Sequence, residues 1–275
     1  MTFREHTVWP SVVALVLVGC LGDSASSDSS VGFDGIAAAG PSGSAGISMD
    51  GLVAAYDLST FSEGLLLDLS VNALDGRTRI RNSTPGVFGD AQLFELVDHR
   101  IALPATPAFD LDGPLTIAAW VRVDQLGLHQ HIVACDDKWA LWVTPADQYR
   151  LGDTRGGGWS TAEGSVAPGV WTAVVAVLSG TAGDPLAPET VALYVNGERA
   201  GAAHLRTDEA RELGIWNPGE LYGSDACYIG FESHQGNEAH QEMPFVGAVD
   251  ELLVYARAWS EDEVAAFSTP SSESP

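Results

Sequence analysis

The sequence predicts an all-β protein of the sandwich or barrel kind. Short apolar runs recur along most of the chain, separated by Gly, Pro, Asn and Asp turns. A hairpin signal stands at Tyr194-Val195-Asn196-Gly197-Glu198-Arg199, and a helical pattern occurs only near the C-terminal end. Strands at this density with turn residues between them suit a sheet folded against itself or closed on itself.

The expected strands, in order, are Leu52–Leu58, Gln92–Leu96, Arg100–Leu103, Leu115–Val123, His131–Ala134, Ala140–Val143, Tyr149–Leu151, Val170–Leu178, Thr190–Val195, Cys227–Phe231 and Phe245–Tyr255. Asn196-Gly197 takes the positive φ angles of a type I′ turn, so the runs on either side should pair. Ser260-Glu261-Asp262-Glu263 ahead of Val264-Ala265-Ala266-Phe267 is a capping box. Ser260 accepts from the amide three residues on while Glu263 reaches back to the Ser260 amide. No internal repeat and no second domain is visible.

At 275 residues, 45% of them hydrophobic and with 8 Trp, 9 Phe and 6 Tyr, the chain has material for one large core. The 37 acidic against 13 basic residues give a formal net charge of −24. Such a surface repels phosphate backbones and anionic lipid heads, which sets nucleic acid aside and leaves no polybasic route to a membrane. It suits calcium and keeps an exported protein soluble.

Residues 1–20 read as a targeting segment. Arg4 gives a thin positive region, Val12 to Val18 an apolar core too short to span a bilayer, and Gly19 a small residue before Cys20. Leu17-Val18-Gly19-Cys20 resembles the bacterial lipobox, in which the cysteine is lipidated. That resemblance implies attachment to the bacterial cell envelope through lipid on Cys20, and Leu21 after it implies the outer membrane. Residues 21–48, rich in Ser, Gly, Ala and Asp, read as a flexible tether, 49–268 as the folded domain and 269–275 as a disordered tail. With Cys20 lipidated, Cys135 and Cys227 remain as an even pair in an oxidising compartment. Sequence alone leaves open whether they join.

Several segments then resemble the laminin-G-like, concanavalin A-like jelly-roll family. Ala55-Tyr56-Asp57-Leu58 and the loop Asp68-Leu69-Ser70-Val71-Asn72-Ala73-Leu74-Asp75-Gly76 match its opening strand and following loop. Thr116-Ile117-Ala118-Ala119-Trp120-Val121, Gly169-Val170-Trp171-Thr172, Leu193-Tyr194-Val195-Asn196-Gly197-Glu198 and Tyr228-Ile229-Gly230 follow in the family's order. Gly247-Ala248-Val249-Asp250-Glu251-Leu252 and Trp259-Ser260-Glu261-Asp262-Glu263 complete it. The resemblance covers about Gly51 to Phe267 and implies a two-sheet antiparallel jelly-roll β-sandwich with a short C-terminal helix. Two departures stand out. Ala173 occupies a position where the family often has His, and Ala203 to Asp225 is longer than the usual connection.

Relatives of this fold frequently carry one calcium. The resemblance therefore points to Asp57 with Asp250, since first and last strands of such sandwiches lie side by side. Asp68, Asn72 and Asp75 in one loop form a rival set, and strand-end or turn aspartates bonding to backbone amides are the plainer alternative for both. His129 and His131 share a face two residues apart, but no spacing matches a structural zinc set. His234, His240 and Glu242 read as a solvated loop.

For an organic ligand, the aromatic residues are the best candidates. Sugars lay apolar faces on Trp and Tyr rings while their hydroxyls meet polar groups. Trp139, Trp142, Arg155 and Trp159, with Trp216 in the extended loop, are the expected ligand surface; Trp120 and Trp171 read as core. No Glu-x-Asp-x-x-Glu strand, Gly-x-Ser-x-Gly elbow or His-Glu-x-x-His occurs, and Glu209 and Glu212 look like a solvated charge run. The expectation is a binding module with no catalytic role, directed at extracellular polysaccharide, or at a surface protein as a structural or adhesion module. A glycoside-active enzyme of the same fold is the third reading.

Overall fold

The computed structural model describes residues 46–80, 82–96, 98–135, 138–153, 158–181, 189–200, 227–231, 233–234 and 241–270. All of them belong to the compact unit Ala37–Pro275.

Two antiparallel sheets make the sandwich. One has β1 (Leu52–Tyr56), β5 (Ser83–Pro85), β6 (Asp90–Phe94), β8 (Leu115–Val123), β13 (Trp171–Leu178), β14 (Val191–Val195), β15 (Glu198–Arg199) and β19 (Gly247–Tyr255). Its order is β15-β14-β13-β8-β19-β6-β5, with β1 also pairing β19. The other has β2 (Phe61–Ser62), β3 (Leu65–Leu66), β4 (Gly76–Thr78), β7 (Ile101–Leu103), β9 (Gln130–Cys135), β10 (Trp139–Val143), β11 (Gln148–Asp153), β12 (Gly158–Ser165) and β16 (Cys227–Ile229). It runs β12-β11-β10-β9-β16-β7-β4-β3-β2. A separate ribbon pairs β17 (Ser233–His234) with β18 (Gln241–Glu242).

The β-period decides which side chains meet. On β8, Leu115, Ile117, Ala119, Val121 and Val123 enter the core between the sheets, while Ala118 and Trp120 face outward. On β13 the same alternation sends Val174, Ala176 and Leu178 inward and Ala173, Val175 and Val177 outward. Both faces of this sheet are therefore apolar, and the outer one needs a cover. Helix α1 (Glu261–Ser268) supplies it. Val264 and Phe267 pack with Trp120, Tyr255 and Trp259 in a second core that also takes Ile47. Ser260 caps α1 and the full capping box forms. The hairpin turn forms as well, with Asn196 at φ 52° and Gly197 at φ 81°.

A bulge in β19 keeps the parity. Asp250 opposes Trp120 and Leu253 opposes Ala118, so one extra residue is accommodated between them, and Glu251 sits at φ 49°. Without that extra residue Leu252 and Leu253 would exchange faces.

Cys135 and Cys227 lie directly opposite each other on β9 and β16 and are joined by a disulfide that closes a separation of 92 residues. Both sulfurs lie in the inter-sheet core. The domain limits at 1–20 and 21–48 fall almost wholly outside the described residues, as does most of 269–275.

Candidate functional site

Among the described residues, no helix packs on the outer face of the nine-stranded sheet. Its outward residues form a row across the strands: Arg77 on β4 opposes Ala102 on β7, which opposes Tyr228 on β16, then Ala134 on β9 and Ala140 on β10. The inward neighbours Gly76, Ile101, Leu103, Cys227, Ile229, Val133 and Leu141 alternate with them. Ala134 and Ala140 in the middle of the row are buried with Trp142 in a small apolar cluster, whereas Arg77 at its β4 end is exposed and Ala102 and Tyr228 are half-buried.

At the β3–β4–β7 side this face opens into a cleft of about 870 Å³ whose lining includes Glu63, Arg77, Arg79, Asp98, His99 and Arg100. The strands set its groups. Arg77 and Arg79 are two residues apart on or just after β4, so both guanidiniums leave the sheet on one side. Thr78 between them donates from Oγ1 to the Arg100 carbonyl at 3.1 Å and accepts from the Ile80 amide at 3.0 Å, locking β4 to the chain ahead of β7. Arg100 stacks over Phe231 at 4.5 Å and near Tyr228 at 5.9 Å, which holds its planar head in place. His99 Nδ1 accepts from the Glu95 amide at 3.1 Å, leaving Nε2–H as a donor. Asn82 donates to Glu95 at 2.8 Å.

The residues singled out from sequence are placed differently. Trp139 belongs to the inter-sheet core: it is 2% exposed, its indole N–H donates to the Phe109 carbonyl at 3.1 Å, and its ring meets Phe109 edge-on. As a ligand platform it is corrected, because β10 parity turns it inward. Trp142 does face outward, but it is 4% exposed and lies in a stack with His131 (5.5 Å between ring centres) and His129 (6.1 Å). The two histidines share a face as expected, with their Nε2 atoms 3.2 Å apart. Trp159 is on β12, where its backbone opposes Gly152. Arg155, Trp216 and Cys20 lie outside the described residues, as do Glu209, Glu212 and His240.

The carboxylates proposed for calcium serve the backbone. Asp57 Oδ1 accepts from the Ser59 and Thr60 amides at 3.0 and 2.8 Å, and its other oxygen meets the Thr60 hydroxyl. Asp68 organises the loop after β3 by accepting from the amides of Ala55 (2.9 Å), Ser70 (2.9 Å) and Leu74 (2.8 Å). Asp75 accepts from the Asp68 amide at 2.9 Å, and Asn72 turns its NH₂ to the Val53 carbonyl at 2.8 Å. Burial, with Asp68 and Asp75 close by, pushes the Tyr56 phenol well above its ordinary value.

Asp250 is fully buried and its Oδ2 accepts from the Val87 and Phe88 amides at 2.7 and 3.0 Å. Desolvation pushes its pKa up against those amides, and the charge of Asp57 adds to the rise. Its Oδ1 has no hydrogen-bond partner among the described residues. No group of three or more His, Cys, Asp or Glu side chains able to hold a metal occurs among the described residues. As they stand, these donors do not make the six to eight oxygens of a calcium shell.

The chain belongs to the Concanavalin A-like lectin/glucanases superfamily, whose family model matches residues 97–265. A comparison with the curated proteins finds no match. Solved structures share the fold at low identity. Domain 4 of an extracellular GH43 arabinanase from Geobacillus stearothermophilus, in complex with arabinotriose, is 18% identical with a TM-score of 0.51, covering 79% of this chain and 98% of that one. A Trypanosoma rangeli sialidase is 15% identical with a TM-score of 0.51, covering 79% of this chain and 32% of the sialidase. The chain thus spans about a third of that enzyme's length. The binding domain of Paraclostridial Mosquitocidal Protein 1 is 13% identical with a TM-score of 0.50, covering 80% of this chain and 52% of that one.

These neighbours correct the expectation of a chain with no catalytic role. The sandwich recurs inside a sialidase and a GH43 arabinanase, so a missing local acid motif is no ground for separating this chain from glycoside-active proteins. The likeness is at the level of one domain and of the fold.

Proposed function

We propose that the domain recognises extracellular carbohydrate through the outer face of its nine-stranded sheet. The observation that carries this reading is the polar cleft at the β3–β4–β7 side of that face. Its lining holds guanidinium, imidazole, hydroxyl and amide groups. Sugars need directional donors of this kind. The arabinotriose bound to the arabinanase domain of the same fold supports the reading by analogy.

The test is a glycan-array screen of the full chain, followed by titration of the best hits. Saturable binding to a polysaccharide class, weakened by substitutions in the cleft, is the expected result. No binding across neutral and acidic glycans would overturn the proposal and pass the role to adhesion between surface proteins.

The same proposal places the domain at the bacterial envelope, held by acyl chains on Cys20. That part rests on the lipobox resemblance alone. Metabolic labelling with a fatty acid should mark the protein and fail to mark Cys20→Ala; equal labelling of both would sink it.

A further inference from the structure

The carbohydrate reading leaves the chemistry of the sugar open, and the charges in the cleft narrow it. The chain has only 13 basic residues against 37 acidic ones. Three of those cations, Arg77, Arg79 and Arg100, line one cleft. With acidic residues in such surplus, an exposed guanidinium has ready access to a carboxylate partner. The ion pairs among the described residues lie elsewhere: Arg122 with Asp124, Lys138 with Asp110, Arg257 with Glu263. The Arg77 and Arg79 side chains make no hydrogen bond or ion pair among the described residues, and the Arg100 head stacks on Phe231 and near Tyr228. The cleft does include Glu63 and Asp98, but the guanidiniums outnumber them.

Grouping cations this way in a strongly anionic protein makes a local positive focus, which favours an incoming anion at that point of the surface. The type of cation adds information. A planar fork of N–H donors matches a carboxylate in two parallel hydrogen bonds. Arg100 is held flat by its aromatic stack, so little side-chain freedom is lost when it binds. The net charge of −24 opposes a long polyphosphate, whose charges would extend well past the cleft. An acidic sugar differs, because its charges are spaced one ring apart and interleaved with hydroxyls. His99 Nε2–H and Asn82 in the cleft can meet those hydroxyls.

We infer that the cleft between β3, β4 and β7 binds an acidic glycan of the uronate type, its carboxylates clasped by Arg77, Arg79 and Arg100. This inference rests on the carbohydrate reading above and specifies its ligand class. Specificity for acidic over neutral sugars then comes from the forks.

The test is calorimetric titration of the full chain with three probes of matched length: oligogalacturonate, a heparin-derived oligosaccharide and a neutral arabino-oligosaccharide. Oligogalacturonate is expected to bind best, with affinity falling as salt rises. Arg77→Ala/Arg79→Ala should weaken it by about tenfold or more, since bonds to charged groups are the stronger kind. Arg77→Lys/Arg79→Lys keeps the charge and loses the fork, and should fall between. Because these side chains are exposed, both variants should melt with the wild type, which separates lost binding from lost folding. Binding of the neutral probe alone, or oligogalacturonate binding untouched by the arginine variants, would overturn this inference and leave the carbohydrate reading standing. Heparin binding without oligogalacturonate binding would overturn the uronate assignment. Silence from all three probes and from the array would remove both.

Discussion

Replacing both Cys135 and Cys227 by Ala should lower the melting temperature by roughly 9–18 °C. Bonds across the β9–β16 pair survive without the disulfide, since the two strands are hydrogen-bonded in register at Tyr228–Ala134 and Ile229–Val133. The loss therefore falls mainly on the unfolded chain, which regains the freedom of a loop closing 92 residues. The chain-entropy relation for that length gives about 4.6 kcal/mol at 25 °C. In a domain of about 200 residues each kcal/mol moves the midpoint by roughly 2–4 °C, which yields the stated range. Alanine is the right replacement, because the site is buried in the apolar core and serine would add an unpaired hydroxyl. The assay is a scanning-calorimetry melt of oxidised wild type, wild type under reductant and the double variant. Wild type under reductant should approach the double variant. A double variant melting within about 3 °C of the oxidised wild type would refute the argument, and would mean that the unfolded chain keeps the two segments together unaided.

The clamp at the end of the sandwich gives a pH prediction. The Arg257 guanidinium, bonded to both Glu263 oxygens at 2.6 and 2.8 Å, lowers the Glu263 carboxyl to about 2. A depressed carboxylate contributes stability that is full above its ordinary value near 4.5 and disappears as pH falls through about 2. After allowance for solvent screening the contribution is about 1–2 kcal/mol. Glu263→Gln, which keeps the capping box, should melt below wild type at pH 7 and converge with it near pH 2; an equal gap at both pH values would sink this account. Calcium has its own test, a melt of the full chain with calcium and with excess chelator. The carboxylates at Asp57, Asp68 and Asp75 are bonded to backbone amides, so no shift is expected. A clear fall on chelation, abolished in Asp250→Asn, would restore a metal at Asp250.

The long strands were legible because their side chains obey one period in one stretch. Leu115–Val123 falls on its expected limits, and Gly247–Tyr255 and Trp171–Leu178 start one or two residues inside theirs. The short strands β2 to β5 escaped notice. Pairs such as Phe61–Ser62 and Leu65–Leu66 are too brief to display alternation, and their pairing is settled by neighbours distant in sequence. The cleft was missed for a related reason. Aromatic residues drew attention, yet Trp139 has the same local apolar context whether β10 turns it in or out. The available signal was Arg77-x-Arg79-x-Arg81, alternating cations in a chain with few of them. Arg100 joins that set only through the β4–β7 pairing, which no local pattern announces.

Arg257 also donates to the carbonyls of Ser48 and Asp50, at 2.9 and 2.6 Å. The polypeptide thus comes into the domain and departs from it at one corner, fastened beneath α1 on the sheet remote from the arginine cleft. A fusion partner, a surface-immobilisation tag or a neighbouring domain can be joined at either terminus of the sandwich without occupying the arginine cleft. Permuted or tandem versions of this domain would keep that cleft clear for the same reason.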